Sequence, residues 1–313
     1  MDKSSKKSGE NSVFFFFFIP TLMLIIGYLI FLYSPLFSES MFLYIPLFLG
    51  LILLGIGFFL KTNLMACKMK ILGWGSFSFF WATQPGYLFA PSGDVFNAGV
   101  CIIGTYVLIY IGYHEWLSIK KNEQIPCLDW IAGGTFLAGI IYFIIDTGVI
   151  PGLKDWLIDV VAAQTTTFFN IIGLEAYKEG PIVFYNGVPV TIIFACTAIQ
   201  SIVLFVGMIG ALPNVNLKRK TLAMLVTVIP IYFLNLIRNV SVIFLVGGEI
   251  TSFETAHNII AKAGSLIVLI VLLFITFKIL PELYDEIICL FDLPKRKGPV
   301  ENFFIKYLRK KAR

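Results

Sequence analysis

Charged side chains are scarce in this sequence, and histidines are scarcer still. Only 14% of the 313 residues are Asp, Glu, Lys or Arg, whereas 58% are hydrophobic and the mean hydropathy is +0.86. Because soluble domains carry about 25% charged residues, a water-soluble globular protein is excluded. With two histidines and five cysteines the chain offers few metal ligands and few disulfide partners, and we expect neither a metal nor another cofactor.

Long apolar runs are what the sequence has in place of charge. A helix needs about 20 apolar residues to cross a hydrocarbon core about 30 Å thick. Eight runs of that kind predict an all-α integral membrane protein with about eight transmembrane helices. The runs lie near residues 13–33, 41–60, 71–90, 95–117, 128–149, 191–212, 221–246 and 257–280.

The positive charges divide unevenly between the two sets of connections. One set, with both termini, holds nineteen Lys and Arg residues, whereas the other set holds only Lys154 and Lys178. Because positive residues favour cytoplasmic flanks, both termini are predicted to be cytoplasmic, in a cell membrane. The net charge of +5 then faces lipid headgroups and indicates no nucleic-acid partner. The predicted outer connections are residues 34–40, 91–94, 150–190 and 247–256.

Composition divides the chain into three segments. Residues 1–12 are polar and predicted to be disordered, and residues 13–280 are predicted to form one transmembrane domain. Residues 281–313 are basic and predicted to lie as a cytoplasmic tail on the inner leaflet.

The long outer connection is predicted to contain structure of its own. Residues 151–172 mix polar and aromatic side chains, which favours an interfacial or re-entrant helix. After it, Asn186-Gly187 between two short β-prone runs predicts a tight hairpin. Pro189 is expected to keep its strand at a sheet edge. The hairpin leads directly into the sixth predicted helix.

The predicted orientation leaves few reactive side chains near the outer face. Of the two histidines, only His257 is external, since His114 lies at an inner helix end. Arg238 is the only arginine within a span, and an intramembrane charge is a functional-site hypothesis by default. Counted from the predicted helix ends, Cys196 lies about 8 Å deep, Arg238 about 12 Å and His257 within about 3 Å. The other cysteines fall on inner flanks or within the fourth span: Cys67, Cys127, Cys289 and Cys101.

Each of these three residues also has a structural interpretation. A lone buried cysteine such as Cys196 often only packs, and a helix-end histidine is often an interfacial polar residue. Arg238 can snorkel to the outer headgroups, although Asn235 and Asn239 add further polarity beside it. Lys262 lies closer to the surface, where snorkelling accounts for it.

Together the three residues suit nucleophilic acyl transfer. A neighbouring cation stabilises the thiolate of Cys196, which is the reactive form. His257 can protonate a leaving amine, and Arg238 can stabilise an oxyanion or anchor a carbonyl. The sequence has no second external histidine with Ser, Thr or Asp near it, which argues against a serine triad, and no external Cys/His cluster suggests a metal.

Three short motifs resemble the exosortase and archaeosortase membrane transpeptidases. They are ACTAIQS at Ala195–Ser201, NLIRN at Asn235–Asn239 and AHN at Ala256–Asn258, with Gly264 following. Each carries one residue that the resemblance implies is catalytic, namely Cys196, Arg238 or His257. The Gln200-Ser201 ending resembles the archaeosortase A type more than bacterial exosortases. Many members have Gly at the position of Ala198, and the third catalytic position is His or Arg.

The resemblance implies a substrate class that composition does not reveal. Members recognise secreted cell-surface proteins, including those of S-layers, by a C-terminal motif followed by a transmembrane helix and a basic cluster. Cys196 would attack beside the motif and form a thioester, which a membrane lipid would then resolve. We further expect the hairpin around Asn186 to hold the substrate backbone by strand addition.

Two polar residues, Gln200 and Asn235, lie close to the candidate catalytic residues. Gln200 lies one helical turn from Cys196, as Asn235 lies one turn from Arg238, and both are candidates to orient the site or to bind helices together. Gly264 is expected to allow close helix approach. The alternative is a transporter or channel in which Arg238 is a counter-charge, but the sequence has no inverted repeat and no polar path to the cytoplasm.

Overall fold

The computed structural model describes residues 3–33, 41–60 and 64–311. Its backbone is mostly helical, with one small sheet. The helices are α1 (Lys3–Leu32), α2 (Ile45–Leu60), α3 (Leu64–Ser92), α4 (Val95–Lys121), α5 (Pro126–Asp146), α6 (Leu153–Ile171), α7 (Ile199–Gly210), α8 (Leu217–Gly247), α9 (Lys262–Ile279), α10 (Pro281–Asp292) and α11 (Pro299–Lys311). The strands are β1 (Ala176–Glu179), β2 (Ile182–Tyr185) and β3 (Val188–Thr191).

Each of the eight apolar runs overlaps one of these helices, namely α1 to α5 or α7 to α9, and the predicted helical membrane class is confirmed. Within the described residues, five helices are long and apolar enough to cross a membrane, whereas α2 and α7 are shorter apolar helices. The number of spans and the orientation stay predictions. The predicted outer connection 34–40 and Lys61 lie outside the described residues.

Some element boundaries differ from those expected. Helix α1 begins at Lys3, ahead of the apolar run that starts at residue 13. The chain divides into two compact units, one of residues 1–136 with 286–313 and one of residues 137–285. The three-segment division at residues 12 and 280 stays a prediction.

The first unit is held together by apolar helix packing and by buried polar groups. Leu47, Leu51 and Leu54 on α2 are fully buried, and Trp74 on α3 is buried as well. Lys70 forms ion pairs with Glu115 at 2.8 Å and with Asp129. A buried lysine costs several kcal/mol unless its charge is paired, so these carboxylates are what allow it there.

Helix α11 attaches to α4 through the carboxylate of Glu301. The hydroxyl of Tyr110 donates to Glu301 Oε1 at 2.8 Å, and the hydroxyl of Tyr113 donates to Oε2 at 3.2 Å. His114 is fully buried, and its Nε2 lies 3.3 Å from Glu301 Oε1. His114 therefore helps to anchor α11 to α4.

The second unit contains the long connection that was predicted to be external, together with the helices that follow it. Helix α6 and the three-stranded antiparallel sheet, in the order β1-β2-β3, pack with α8 around a common core that includes Phe169, Tyr185 and Cys196. Both the predicted helix and the predicted hairpin are confirmed. Asn186 and Gly187 have φ of 50° and 78°, the two positive values that a type I′ turn needs. Pro189 lies on the edge strand β3, as expected.

The hairpin turn is fixed against the end of α8. The side-chain amide of Asn186 donates to the carbonyl of Gly247 at 3.2 Å. A Cβ on Gly247 would lie 2.6 Å from Cδ1 and 2.7 Å from the carbonyl oxygen of Tyr185. Only glycine permits this approach, so the sheet is positioned directly over the helix that carries Arg238.

Candidate active site

Cys196 lies in a short non-helical segment between β3 and α7. Residues Phe194–Cys196 form a 3₁₀ turn, and α7 begins only at Ile199. Ala198 has φ of +64°, a left-handed conformation that interrupts the helix. The predicted start of the sixth helix, at residue 191, is therefore wrong, because α7 begins at Ile199. The depth of about 8 Å for Cys196 assumed an α-helix from residue 191, so it does not apply.

Helix α7 is too short to cross the bilayer alone. Its 12 residues span about 18 Å, compared with a hydrocarbon core about 30 Å thick. Irregular backbone at membrane depth must bury its polar groups in protein. In this segment Ile192, Phe194, Cys196 and Ala198 are less than a tenth exposed, whereas Ile193 and Ala195 between them are exposed.

Two asparagines of α8 satisfy the backbone at the cysteine. Asn235 Nδ2 donates to the carbonyl of Cys196 at 2.7 Å, and Asn239 Nδ2 donates to the same oxygen at 3.0 Å. Because Asn235 and Asn239 are four residues apart, they lie on one face of the helix. They fix the main chain of the cysteine against α8.

Cys196 and His257 line one small cavity, together with Asn239 and residues of β3. The free volume is about 10 Å³, roughly enough for one water molecule. His257 lies in a π-helical turn, Thr255–Ala261, that leads into α9. Its ring stacks on Phe253 at 5.2 Å. π-turns are rare and are frequent at functional sites.

Arg238 lines a neighbouring cavity and not the one that holds Cys196 and His257. Its guanidinium Nη1 donates to Asn239 Oδ1 at 3.3 Å. Asn239 therefore links Arg238 to the carbonyl of Cys196. Of the ion pairs among the described residues, none involves Arg238.

Gln200 does not follow Cys196 along one helical face. Ala198 separates the two, and Gln200 lies in the first turn of α7 with its side chain exposed, whereas Cys196 is buried. The expected one-turn relationship is wrong for this reason, and a supporting role for Gln200 stays a prediction. Gly264 was expected to contact another helix, but a Cβ at this position would meet no atom within 4 Å.

Two further residues belong to the site and were not singled out as site residues from the sequence. Asn239 joins Cys196 to Arg238, but this contact spans 43 residues of chain and has no local signal. Thr197 is buried, and its hydroxyl donates to Phe194 O at 2.7 Å, which closes the turn at the cysteine. Both contacts fix the backbone around Cys196.

Other clusters of metal-binding or reactive groups lie in the first unit. The ligand atoms of Cys127, Glu286 and Cys289 are within 4.8 Å of one another, a spacing that suits a metal ion. In the structure, however, Cys127 and Cys289 form a disulfide, a pairing that the sequence did not indicate. Cys67, Cys101 and Cys196 are free thiols.

These features define a multi-pass membrane protein with a cysteine and a histidine that line one small cavity. Residues 15–277 match the family model of the transmembrane exosortases, described as Transmembrane exosortase (Exosortase_EpsH). The chain belongs to this family.

The chain is also similar, at low identity, to a curated relative. The chain is 25% identical over 194 residues to Archaeosortase A of Natronomonas pharaonis, a match that covers 58% of this chain and 59% of the relative. The match thus extends over less than two thirds of that protein's length. No solved structure matches the chain.

Proposed function

We propose that this protein is a membrane-embedded cysteine transpeptidase that cleaves the C-terminal sorting signal of secreted surface proteins and transfers the new C-terminus to a lipid. Membership of the exosortase family supports this class, as does the similarity to an archaeosortase. The observation that carries the proposal is the small cavity shared by Cys196 and His257. The active site faces the outside of the cell membrane in this proposal.

Cys196 is the nucleophile of the first step. Helix α7 begins three residues after it, and the positive end of a helix dipole stabilises a nearby thiolate. The Sγ thiolate attacks the carbonyl carbon of the scissile peptide bond. A C–S bond forms, the C–N bond breaks, and the leaving amine takes a proton from His257.

The second step returns the enzyme to its starting state. The nitrogen of the acceptor amine attacks the thioester carbonyl, and the proton that it loses passes to His257. A C–N bond forms, the C–S bond breaks, and the electron pair leaves with Sγ as thiolate.

Arg238 acts on the reacting atoms through its charge, from the neighbouring cavity. Its permanent charge, held next to Asn239, favours the thiolate and the oxyanion of each tetrahedral intermediate. Asn235 and Asn239 hold the main chain of Cys196, so they keep the nucleophile in a fixed position relative to that charge.

The substrate is proposed to bind through its backbone as well as its transmembrane helix. Strands β1 and β3 are the two edges of the sheet, and an edge strand offers unpaired backbone groups to an extended peptide. The cavity of Cys196 and His257 is lined by Val190, Thr191 and Ile192 at the end of β3. A peptide added along β3 would therefore lead into the cavity.

Substitution of the nucleophile tests the proposal. In cells that express a secreted protein with its sorting signal, Cys196→Ala should abolish C-terminal processing and lipid attachment. Cys101→Ala is the matched control, since Cys101 is also a free thiol in an apolar segment. Normal processing by the Cys196→Ala protein, at wild-type expression, would disprove the mechanism.

A further inference from the structure

The cavity that contains Arg238 is the larger of the two at the site. It measures about 290 Å³ and extends along α8, the π-turn and α9. We call it the Arg238 groove. On α8 its lining extends from Ile231 to Leu245, and on the opposite side from Ala256 to Leu269. It lies entirely within the second unit.

The shape of the groove fits one hydrocarbon chain. Ile231 and Leu245 are 14 residues apart on one helix, which corresponds to about 21 Å at 1.5 Å per residue. Arg238 lies midway between them, about 10 Å from either end, so the groove accommodates the first part of an acyl chain and the remainder extends into the leaflet, which is about 15 Å thick. Gly264 lines the groove, and a Cβ there would meet no atom within 4 Å.

The charge of the groove specifies the other end of the occupant. Arg238 is the one charged residue among the described residues that line it, and no carboxylate lies beside it there. A guanidinium has five N–H donors, and the structure shows one of them bonded, to Asn239. In apolar surroundings such a cation needs an anionic partner, and its planar fork matches a phosphate.

We propose that the Arg238 groove binds a membrane phospholipid, with the phosphate on Arg238 and an acyl chain along the groove. This inference rests on the proposed function and identifies the chemical class of the acceptor. Val242 lines both cavities, and Asn239 contacts both Arg238 and Cys196. A phosphate on Arg238 therefore brings the rest of the headgroup, with its amine, beside the thioester.

The charge also decides against a transmembrane helix as the occupant. An apolar helix would fill the groove but would leave the guanidinium without an anion, and a buried unpaired charge is costly. A phospholipid supplies both the apolar chain and the anion.

Binding is measured with the purified full-length protein in detergent, by native mass spectrometry and by titration with short-chain phosphatidylethanolamine. Loss of a charge-assisted contact weakens binding by about tenfold or more, so Arg238→Gln should raise the Kd by at least that factor. Gly264→Leu fills the groove and should weaken binding similarly. Gly99→Leu is the matched control, because a Cβ on that helical glycine of α4 also meets no atom within 4 Å, and its Kd should be unchanged.

Three ligands identify what the groove recognises. Diacylglycerol lacks the phosphate, so it should bind the wild type at least about tenfold more weakly than the phospholipid does. Arg238→Gln should bind the two ligands with equal affinity. Inorganic phosphate alone, or an apolar transmembrane peptide, should not displace the phospholipid. Displacement by either, or an unchanged Kd in Arg238→Gln or Gly264→Leu, would overturn the proposal.

The same titration on Cys196→Ala separates this inference from the proposed function. If phospholipid binding depends on Arg238 but Cys196→Ala still processes its substrate, the proposed cysteine mechanism is wrong and the lipid site stands. If Cys196 is essential but Arg238→Gln binds phospholipid like the wild type, the acceptor site is wrong and the cysteine mechanism stands.

Discussion

The side-chain amide of Asn239 donates to the main-chain carbonyl of Cys196, at 3.0 Å, from within a buried position on α8. The oxygen of the same side chain accepts from Arg238 at 3.3 Å. One asparagine therefore holds the cysteine backbone and the intramembrane arginine at once. A buried backbone carbonyl without a partner costs about 1–3 kcal/mol, so this contact matters for stability as well as for position.

We expect Asn239→Ala to lower both stability and processing. The carbonyl of Cys196 would keep only its bond from Asn235, and Arg238 would lose its acceptor. The free energy of unfolding should fall by about 1–3 kcal/mol, as measured by thermal unfolding in detergent. Asn239→Asp removes the donor and should fail in the same way.

The double variant provides the internal control for this pair. Because Asn235 and Asn239 donate to the same oxygen, Asn235→Ala/Asn239→Ala should cost more than the sum of the single changes. Additive losses would mean that the two amides act independently of the cysteine backbone.

Ala198→Gly should stabilise the protein. Ala198 has φ of +64°, a region that costs a residue with a side chain about 1–2 kcal/mol and glycine almost nothing. The exosortase resemblance places Gly at this position in many members, and the backbone conformation gives the physical reason. We expect an apparent Tm higher by about 2 °C or more. Ala223→Gly, within α8 and fully buried, is the control and should lower the Tm.

The Gly247 position tests the placement of the hairpin. In Gly247→Ala the new methyl group would meet Tyr185, including its main-chain oxygen at 2.7 Å, so the hairpin must move. Processing of full-length substrate should fall, while Gly99→Ala, where no neighbour lies within 4 Å, should be neutral. Equal processing by the two variants would show that the hairpin position is unimportant.

The sequence predicted the parts of the fold that have local signals. Apolar runs located the helices, and Asn186-Gly187 located the hairpin, because both depend on residues close together in the chain. Strand β1 was not predicted, since the sequence AYKE at Ala176–Glu179 has little β character and forms a strand through its pairing with β2.

The site was predictable in composition and not in arrangement. Cys196, Arg238 and His257 could be singled out by charge and side of the membrane, and the structure brings Cys196 and His257 to one cavity. The break at Ala198 could not be predicted, because left-handed alanine is uncommon and no glycine marks the position. The bond of Asn239 to Cys196 depends on tertiary packing, so it also lacked a local signal.

The attachment of α11 should depend on pH. Burial alone raises the pKa of Glu301, but the contacts of its carboxylate with His114 and Tyr110 outweigh burial and hold the pKa below its usual range. The stabilisation is therefore present above about pH 4.3, the usual glutamate value, and is lost as the pH falls through the lower folded value. Thermal unfolding of wild type and Glu301→Gln across pH 3–7 measures this. The gap between the two should narrow at acid pH, and a constant gap would contradict the assignment.

The central claim is that Cys196 forms a thioester with the substrate, and intact-mass spectrometry of acid-quenched reactions tests it most directly. Purified protein mixed with a sorting-signal substrate should gain the mass of the substrate fragment, on a peptide that contains Cys196, and neutral hydroxylamine should remove it. Cys101→Ala should form the adduct, and Cys196→Ala should not. Substrate cleavage without any adduct on Cys196, or with the same rate in Cys196→Ala, would contradict the account.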